Sequence, residues 1–237
     1  MTLRHLATTT RDGLPLVLSP FTADDVGRVH ELCQDPEVRR WTTVPDPYPR
    51  SAAEEFVLRS TPPAWEAVDA GAFDANREGP ELTWAIRVPE GELAGLWGSS
   101  GLRPLGGGVL EIGYWLGAGA RGRGIARAAA ALLVETAFAW PLNADEVRWY
   151  AALGNLPSAR IAQRTGFAYA GVTRNPRCGD AESWSAVIRP GDPIAPRDDW
   201  PDLSAGLAES SCEAHCPGGR PMTRPGDQEW VLPTACS

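Results

Sequence analysis

One segment constrains this chain more than any other. Glu111-Ile112-Gly113-Tyr114-Trp115-Leu116-Gly117-Ala118-Gly119-Ala120-Arg121-Gly122-Arg123-Gly124-Ile125-Ala126 carries a strand through a glycine-rich, arginine-flanked turn straight into a long apolar helix. Ile125, Ala128, Ala129, Leu132, Leu133 and Ala137 recur at helical spacing, so a helix beginning near Arg123 buries one face. The first turn of such a helix leaves about four backbone NH groups without intrahelical partners, at the positive end of its dipole. Gly122 and Gly124 have no side chain to hold an anion away from those donors, and Arg121, Arg123 and Arg127 add charge around them. The turn is therefore read as a phosphate-binding site.

On either side of it the pattern alternates between strands and helices. Leu14 to Leu18 reads as a first strand, and Thr22 as the cap of an amphipathic helix carrying Val26, Val29, His30 and Leu32. Two shorter helical pieces lie between Arg50 and Ala72, interrupted by Pro62 and Pro63. Trp41, Tyr48, Trp65 and Phe73, set among prolines and acids, either line a cleft or anchor loops. Leu82 to Val88, Leu93 to Leu102 and Val109 to Leu116 form three successive strands whose short glycine-rich connections imply antiparallel neighbours. After the long helix come a strand from Val147 to Leu153, a helix from Leu156 to Arg164 closed by Gly166, and strands at Phe167 to Thr173 and Ser183 to Ile188. The expected fold is a mixed α/β sheet flanked by helices, antiparallel first and with a βαβ unit later.

The 237 residues suffice for one sizeable core. Residues 1–13 read as an extension and 14–189 as one catalytic domain. Residues 190–237, rich in Pro, Gly, Asp and Ser, read as a disordered or loosely attached tail. No lysine occurs and all 22 basic residues are arginine, which favours planar, bidentate contacts to anions. A net charge of −8 argues against nucleic acid as a partner. Neither a signal peptide nor a membrane span is apparent, so a cytoplasmic location is expected. Five scattered cysteines read as free thiols. Cys212, His215 and Cys216 lack the further ligand and spacing of a zinc site, so no metal is expected.

Gly117-Ala118-Gly119-Ala120-Arg121-Gly122 formally satisfies G-x-G-x-x-G, the dinucleotide fingerprint. That unit needs an acidic residue at the end of its second parallel strand, where this chain has Ala151-Ala152-Leu153-Gly154-Asn155. A nicotinamide oxidoreductase is accordingly the weaker reading.

The same turn also reads as Arg121-x-x-Gly124-x-Ala126, and a second block, Asn155-Leu156-Pro157-Ser158-Ala159-Arg160-Ile161-Ala162-Gln163-Arg164-Thr165-Gly166-Phe167, follows at a fitting distance. In these two blocks the sequence resembles the GNAT superfamily of acetyl-CoA-dependent N-acetyltransferases, over about residues 14 to 189. The Glu-Ile-Gly-Tyr-Trp-Leu strand and the Asn-x-x-Ser helix look most like the branch that includes the ribosomal-protein alanine N-acetyltransferases. The resemblance implies that the strand ending at Trp115 and Leu116 splays from the strand near Val147, with the pantetheine arm in the gap. Arg121, Gly122, Arg123, Gly124, Ile125 and Ala126 would hold the pyrophosphate, with Arg127 as a further contact, and Asn155 would contact the pantetheine.

Acetyl transfer needs a neutral amine, a polarised thioester and a proton for the leaving thiolate. By the resemblance Glu111 is the general base, acting through water. A backbone NH near Trp115 or Leu116 would polarise the thioester. The tyrosine that many members carry seven residues after the asparagine is Ala162 here, so Ser158 is the substitute candidate for the acid, relaying through water, the other reading being a hydrogen-bonding helix residue. Tyr114, opposite Glu111 by alternation, falls outside this site, and Tyr169 reads as packing. An α-amine with pKa about 7.7 to 8.0 is roughly 10 to 17 per cent neutral at pH 7, against roughly 0.04 per cent for lysine. That favours a protein N-terminal α-amine, with small-molecule amines as the other class of acceptor. The expected enzyme attacks the thioester directly as a monomer or homodimer, and a non-catalytic CoA-binding module is the alternative.

Overall fold

The structure, a computed structural model, describes residues 3–175 and 181–204. Eight strands form one mixed sheet in the order β1-β2-β3-β4-β5-β6-β8-β7. They are β1 (Leu6–Thr9), β2 (Pro15–Ser19), β3 (Leu82–Val88), β4 (Gly95–Pro104), β5 (Val109–Leu116), β6 (Glu146–Ala152), β7 (Ala168–Asn175) and β8 (Ala181–Ile188). β1 to β5 pair antiparallel in succession, β5 and β6 pair parallel across a helix, and β8 pairs antiparallel with both β6 and β7. The antiparallel meander and the later βαβ unit are as the pattern implied. β1 is an addition: the stretch expected to be an extension supplies an edge strand, whose four residues are too few to show alternation.

Helices cover both faces. Before β3 come α1 (Val26–Leu32), α2 (Pro36–Trp41), α3 (Arg50–Glu55), which continues in a π-type turn over Phe56–Ser60, and α4 (Pro62–Asp69). α5 (Ile125–Phe138) and α6 (Leu156–Thr165) flank β6. Alternation along β5 divides its residues cleanly between the two faces. Leu110, Ile112, Tyr114 and Leu116 join the main core with Leu132, Leu133 and Phe167, while Trp115 packs in the smaller cluster with Val29, Leu32 and Val57. α1 is preceded by a short 3₁₀ turn, where Asp25 accepts from both the backbone NH and the hydroxyl of Thr22, at 2.7 and 3.1 Å.

Residues 190–204 were expected to be loosely attached, and here the structure differs. Trp200 donates its Nε1 to the carbonyl of Phe167 at 2.7 Å and lies against the rings of Trp149 and Tyr169. Ile194 and Leu203 also pack on the core. Gly166, in the left-handed conformation that ends α6, is covered by Pro193 and Ala195, so no β-carbon could be accommodated there. Composition misleads here because three apolar anchors suffice to dock a proline-rich strap. The rest of the expected tail, with Cys212, His215 and Cys216, lies outside the described residues, as does Cys178. Among the described residues, no helix is long and apolar enough to cross a membrane.

Candidate active site

The parallel ladder between β5 and β6 runs only from Val109↔Glu146 to Ile112↔Trp149. β5 continues to Leu116 and β6 to Ala152, so their ends separate into a wedge. Gly117 donates its NH to Trp97 on β4 at 2.8 Å. Trp115 and Gly113, two and four residues back, therefore also turn their backbone groups to β4, and those of Tyr114 and Leu116 face the wedge. Of the two candidate thioester-polarising amides, Leu116 has the right direction and Trp115 does not.

The glycine turn lies at the mouth of the wedge. Gly124 is the N-cap of α5 with φ of 74°, and Gly122 has φ of 76°, both left-handed values that glycine adopts without strain. The first cap bond runs from Ala128 N to Gly124 O at 3.0 Å, so the amides of Ile125, Ala126 and Arg127 precede the intrahelical ladder. Residues 121–124 are exposed, and a β-carbon at Gly122 would meet nothing within 4 Å. Such an open, NH-rich helix start fits a diphosphate. Ile125 and Ala126 bury their side chains and can offer only main chain.

The arginines divide their work. Arg121 donates to the carbonyl of Leu116 and forms an ion pair with Asp35 at the start of α2. Arg127 donates to the carbonyl of Arg164 at 3.1 Å, tying α5 to the C-terminal end of α6. Arg123 is left exposed beside the turn. Charge is thus less concentrated at the loop than the sequence suggested, because two of the three guanidinium groups satisfy helix-end and strand-end carbonyls.

The second block begins α6. Asn155 is its N-cap, accepting from Ser158 N at 3.2 Å, and its own NH donates to Ala152 at the end of β6. Ser158 is 5% exposed. Its Oγ accepts from Trp149 Nε1 at 3.1 Å and donates to the Tyr114 hydroxyl at 3.2 Å, while Tyr114 donates to the Ser158 carbonyl. Burial pushes the Tyr114 phenol well above its ordinary range. Alternation correctly sets Tyr114 opposite Glu111, but that face meets α6 beside the wedge, so Tyr114 joins Ser158 rather than standing apart.

Glu111 shares its face with Gly113 and Trp115, as expected, and is 5% exposed. Its register partners are Arg103 on β4 and Arg148 on β6, two arginines that sequence reasoning missed because neither lies in a motif. Arg148 also bridges to Glu146, which binds Arg189. Of the four aromatic residues left open by the sequence, Trp65 packs edge-on against Trp84, Tyr48 is buried among α1 to α3, and Phe73 packs on the core. Only Trp41 reaches the wedge side, packing with Ala152 and Ala181. Cys33, beside Tyr48, is buried, and burial pushes its thiol up to about 12, far from a nucleophile at neutral pH. Tyr169 packs on Trp200, as expected.

The acetyltransferase (GNAT) domain matches residues 15–168, well over half of the chain. The chain belongs to the GNAT acetyltransferase family. No curated protein matches the sequence significantly, but solved GNAT-fold structures do. A Vibrio cholerae protein assigned as a ribosomal-protein-serine acetyltransferase is 18% identical over 78% of this chain and 97% of its own, with a TM-score of 0.62. Mycobacterium smegmatis RimJ, solved with a CoA disulfide, is 17% identical over 78% and 87%, with a TM-score of 0.58. RimL, a ribosomal L7/L12 α-N-protein acetyltransferase solved with coenzyme A, is 16% identical over 77% and 95%, with a TM-score of 0.57. At these identities the likeness shows the fold. The family match makes this GNAT protein an acetyltransferase, and the nicotinamide reading falls with it.

Proposed function

We infer that this acetyltransferase moves an acetyl group from acetyl-CoA to a primary amine by direct attack, with a protein N-terminal α-amine as the preferred acceptor. The observation that carries the reading is the wedge between β5 and β6 opening onto the glycine start of α5. A long ligand with an anionic end and an extended polar arm fits such a cleft. Gly122 to Ala126 hold the pyrophosphate and the wedge takes the arm, with Asn155 at its far side. Acetyl-CoA, when bound, supplies the activated acetyl group.

The chain's own residues supply the rest. Leu116 NH polarises the thioester carbonyl, Glu111 takes the proton of the attacking amine through water, and Ser158, turning its hydroxyl from Tyr114, relays a solvent proton to the departing thiolate and so ends with its own proton restored. No metal enters the scheme. Ribosomal-protein N-termini are the favoured substrates, supported by relatives such as RimL that acetylate them and by the ready neutralisation of α-amines near pH 7. The work is assigned to the cytoplasm, where such N-termini arise.

Thiol release from acetyl-CoA should be followed over a panel of N-terminal peptides and small polyamines, with wild type and Glu111→Gln in parallel. Peptide-dependent release that falls at least tenfold in the variant is expected. Turnover of polyamines alone would overturn the acceptor, and no amine-dependent release at all would overturn the reaction.

A further inference from the structure

The two faces of β6 are covered unequally. Val147, Trp149 and Ala151 are sealed in the main core, but Arg148 and Tyr150 between them point to the opposite face and are only partly buried. The next residue on that face, Ala152, is covered again, by Trp41 at the end of α2. The uncovered stretch adjoins Glu111, since the parallel register sets Arg148 directly across from it. Tyr150 is the first β6 residue past the last rung, Ile112↔Trp149, and so stands where the two strands begin to part.

Both uncovered groups are hydrogen-bond donors. Arg148 gives its Nε to Glu146, and its guanidinium also lies within hydrogen-bonding reach of the Tyr150 hydroxyl. A guanidinium has donors only, so the phenol oxygen receives from it and keeps its own O–H to give. Fixed positive charge beside such a donor repels an ammonium and favours an electron-rich oxygen. The spacing also suits a peptide end. Tyr150 lies one strand across and two residues along from Glu111. With strands about 4.8 Å apart and about 3.3 Å per residue, their Cα atoms are about 8 Å apart. In a peptide N-terminus the first carbonyl carbon is two bonds from the amine nitrogen, so an amine at Glu111 can set that carbonyl towards Tyr150.

We propose that Tyr150 is an acceptor-recognising residue of this enzyme, donating its phenol O–H to the first carbonyl of a peptide whose α-amine is acetylated. The assignment rests on the N-acetyltransferase reading above and specifies how that site tells a peptide N-terminus from a simple amine. An alkylamine offers no such oxygen, and a site built to hydrogen-bond a group discriminates strongly against analogues that lack it.

The test is steady-state kinetics on the full chain with a panel peptide that wild type acetylates, and with the same peptide carrying a thioamide, a weaker acceptor, in place of its first carbonyl. Tyr150→Phe keeps the ring and should raise the peptide KM at least fivefold, change kcat less than threefold and leave the acetyl-CoA KM unaltered. The thioamide should raise the wild-type KM at least threefold and change that of Tyr150→Phe less than twofold, because the donor it weakens is already gone. An unchanged peptide KM in Tyr150→Phe, or an equal rise in both its KM values, overturns the assignment and leaves the transferase reading standing. So does a wild-type KM indifferent to the thioamide, or the same thioamide penalty in both proteins. Wild-type silence across the panel overturns both readings.

Discussion

Arg121 donates from both Nε, at 3.1 Å, and Nη2, at 2.8 Å, to the carbonyl of Leu116, the last residue of β5. The same guanidinium lies 2.6 Å from Asp35 Oδ2, an ion pair more than an aligned hydrogen bond. One side chain therefore fixes the strand end at the wedge, the glycine turn and the corner between α1 and α2. The motif arginine that sequence logic assigns to phosphate thus has its guanidinium already engaged by a backbone carbonyl and a carboxylate.

Arg121→Met should accordingly weaken acetyl-CoA and also loosen the fold. The expected effect is a roughly tenfold or greater rise in acetyl-CoA KM together with about 1–3 kcal/mol of lost stability from a partly buried carbonyl and charge left without their partner. Asp35→Asn keeps the α2 cap, because the amide oxygen can still accept from Glu37 N, and removes only the charge. It should give a smaller change in the same direction. The double variant should be no worse than Arg121→Met alone, since both act through one interaction. Titration of acetyl-CoA and thermal melts on the three proteins check this, and additive losses would contradict it.

Ser158 and Tyr114 separate structure from chemistry. Ser158→Ala leaves Trp149 Nε1 buried without its acceptor, at a cost of about 1–3 kcal/mol, and removes the proposed proton donor, so kcat should fall roughly tenfold or more. Tyr114→Phe removes the acceptor of the Ser158 hydroxyl and the donor to the Ser158 carbonyl, and should cost about 1–3 kcal/mol while keeping most of kcat. Thiol-release rates set beside melting temperatures distinguish the two. Equal loss of kcat in both variants would make Tyr114 part of the chemistry.

Much of this was readable from residue patterns. The strand from Leu82 to Val88 and the strand from Val109 to Leu116 have their expected limits because alternation and glycine-rich turns bound them on both sides. Asn155 and Gly166 likewise mark α6 through the physics of helix ends. Two other kinds of feature were not legible. Contacts between distant segments, such as Glu81 with Gly101 or Arg121 with Asp35, depend on the tertiary path and leave no local period. The bonds of Tyr114 to Ser158 were not legible for a different reason: alternation gives the face of a residue, but not which helix covers that face at a wedge.

The strap formed by residues 190–204 alters what a truncation should do. A chain cut after Ser204 keeps Ile194, Trp200 and Leu203 and is the reference for the melt. Cutting after Arg189 removes Ile194, Trp200 and Leu203 from the core and uncovers Trp149, Tyr169 and Gly166. Burial of a large apolar side chain contributes about 1.5–3 kcal/mol. The shorter protein should therefore lose several kcal/mol and release less thiol at elevated temperature. Trp200→Ala should show a part of the same loss, and a melt unchanged by it would mean that the strap is not a structural element.

Asp25 provides the clearest dependence on pH. Burial alone would raise its pKa, but the bidentate Arg87 guanidinium, at 2.8 and 2.7 Å, and the bonds from Thr22 outweigh that and hold the carboxyl below its ordinary value of 3.8. A carboxylate with a depressed folded-state pKa stabilises the protein at pH above its unfolded value, and that stabilisation disappears as pH falls through the folded value. Asp25→Asn strands Arg87, whose Nε is also held by Ser19 at 2.9 Å, and should cost about 2–4 kcal/mol at pH 7. Chemical denaturation of wild type and variant between pH 7 and pH 2.5 checks the sign. The gap between them should be constant above about pH 5 and narrow steadily below pH 4, as wild-type Asp25 takes up its proton and also loses the charged pair. A gap that widens towards acid would show that the ion pair does not stabilise the folded state.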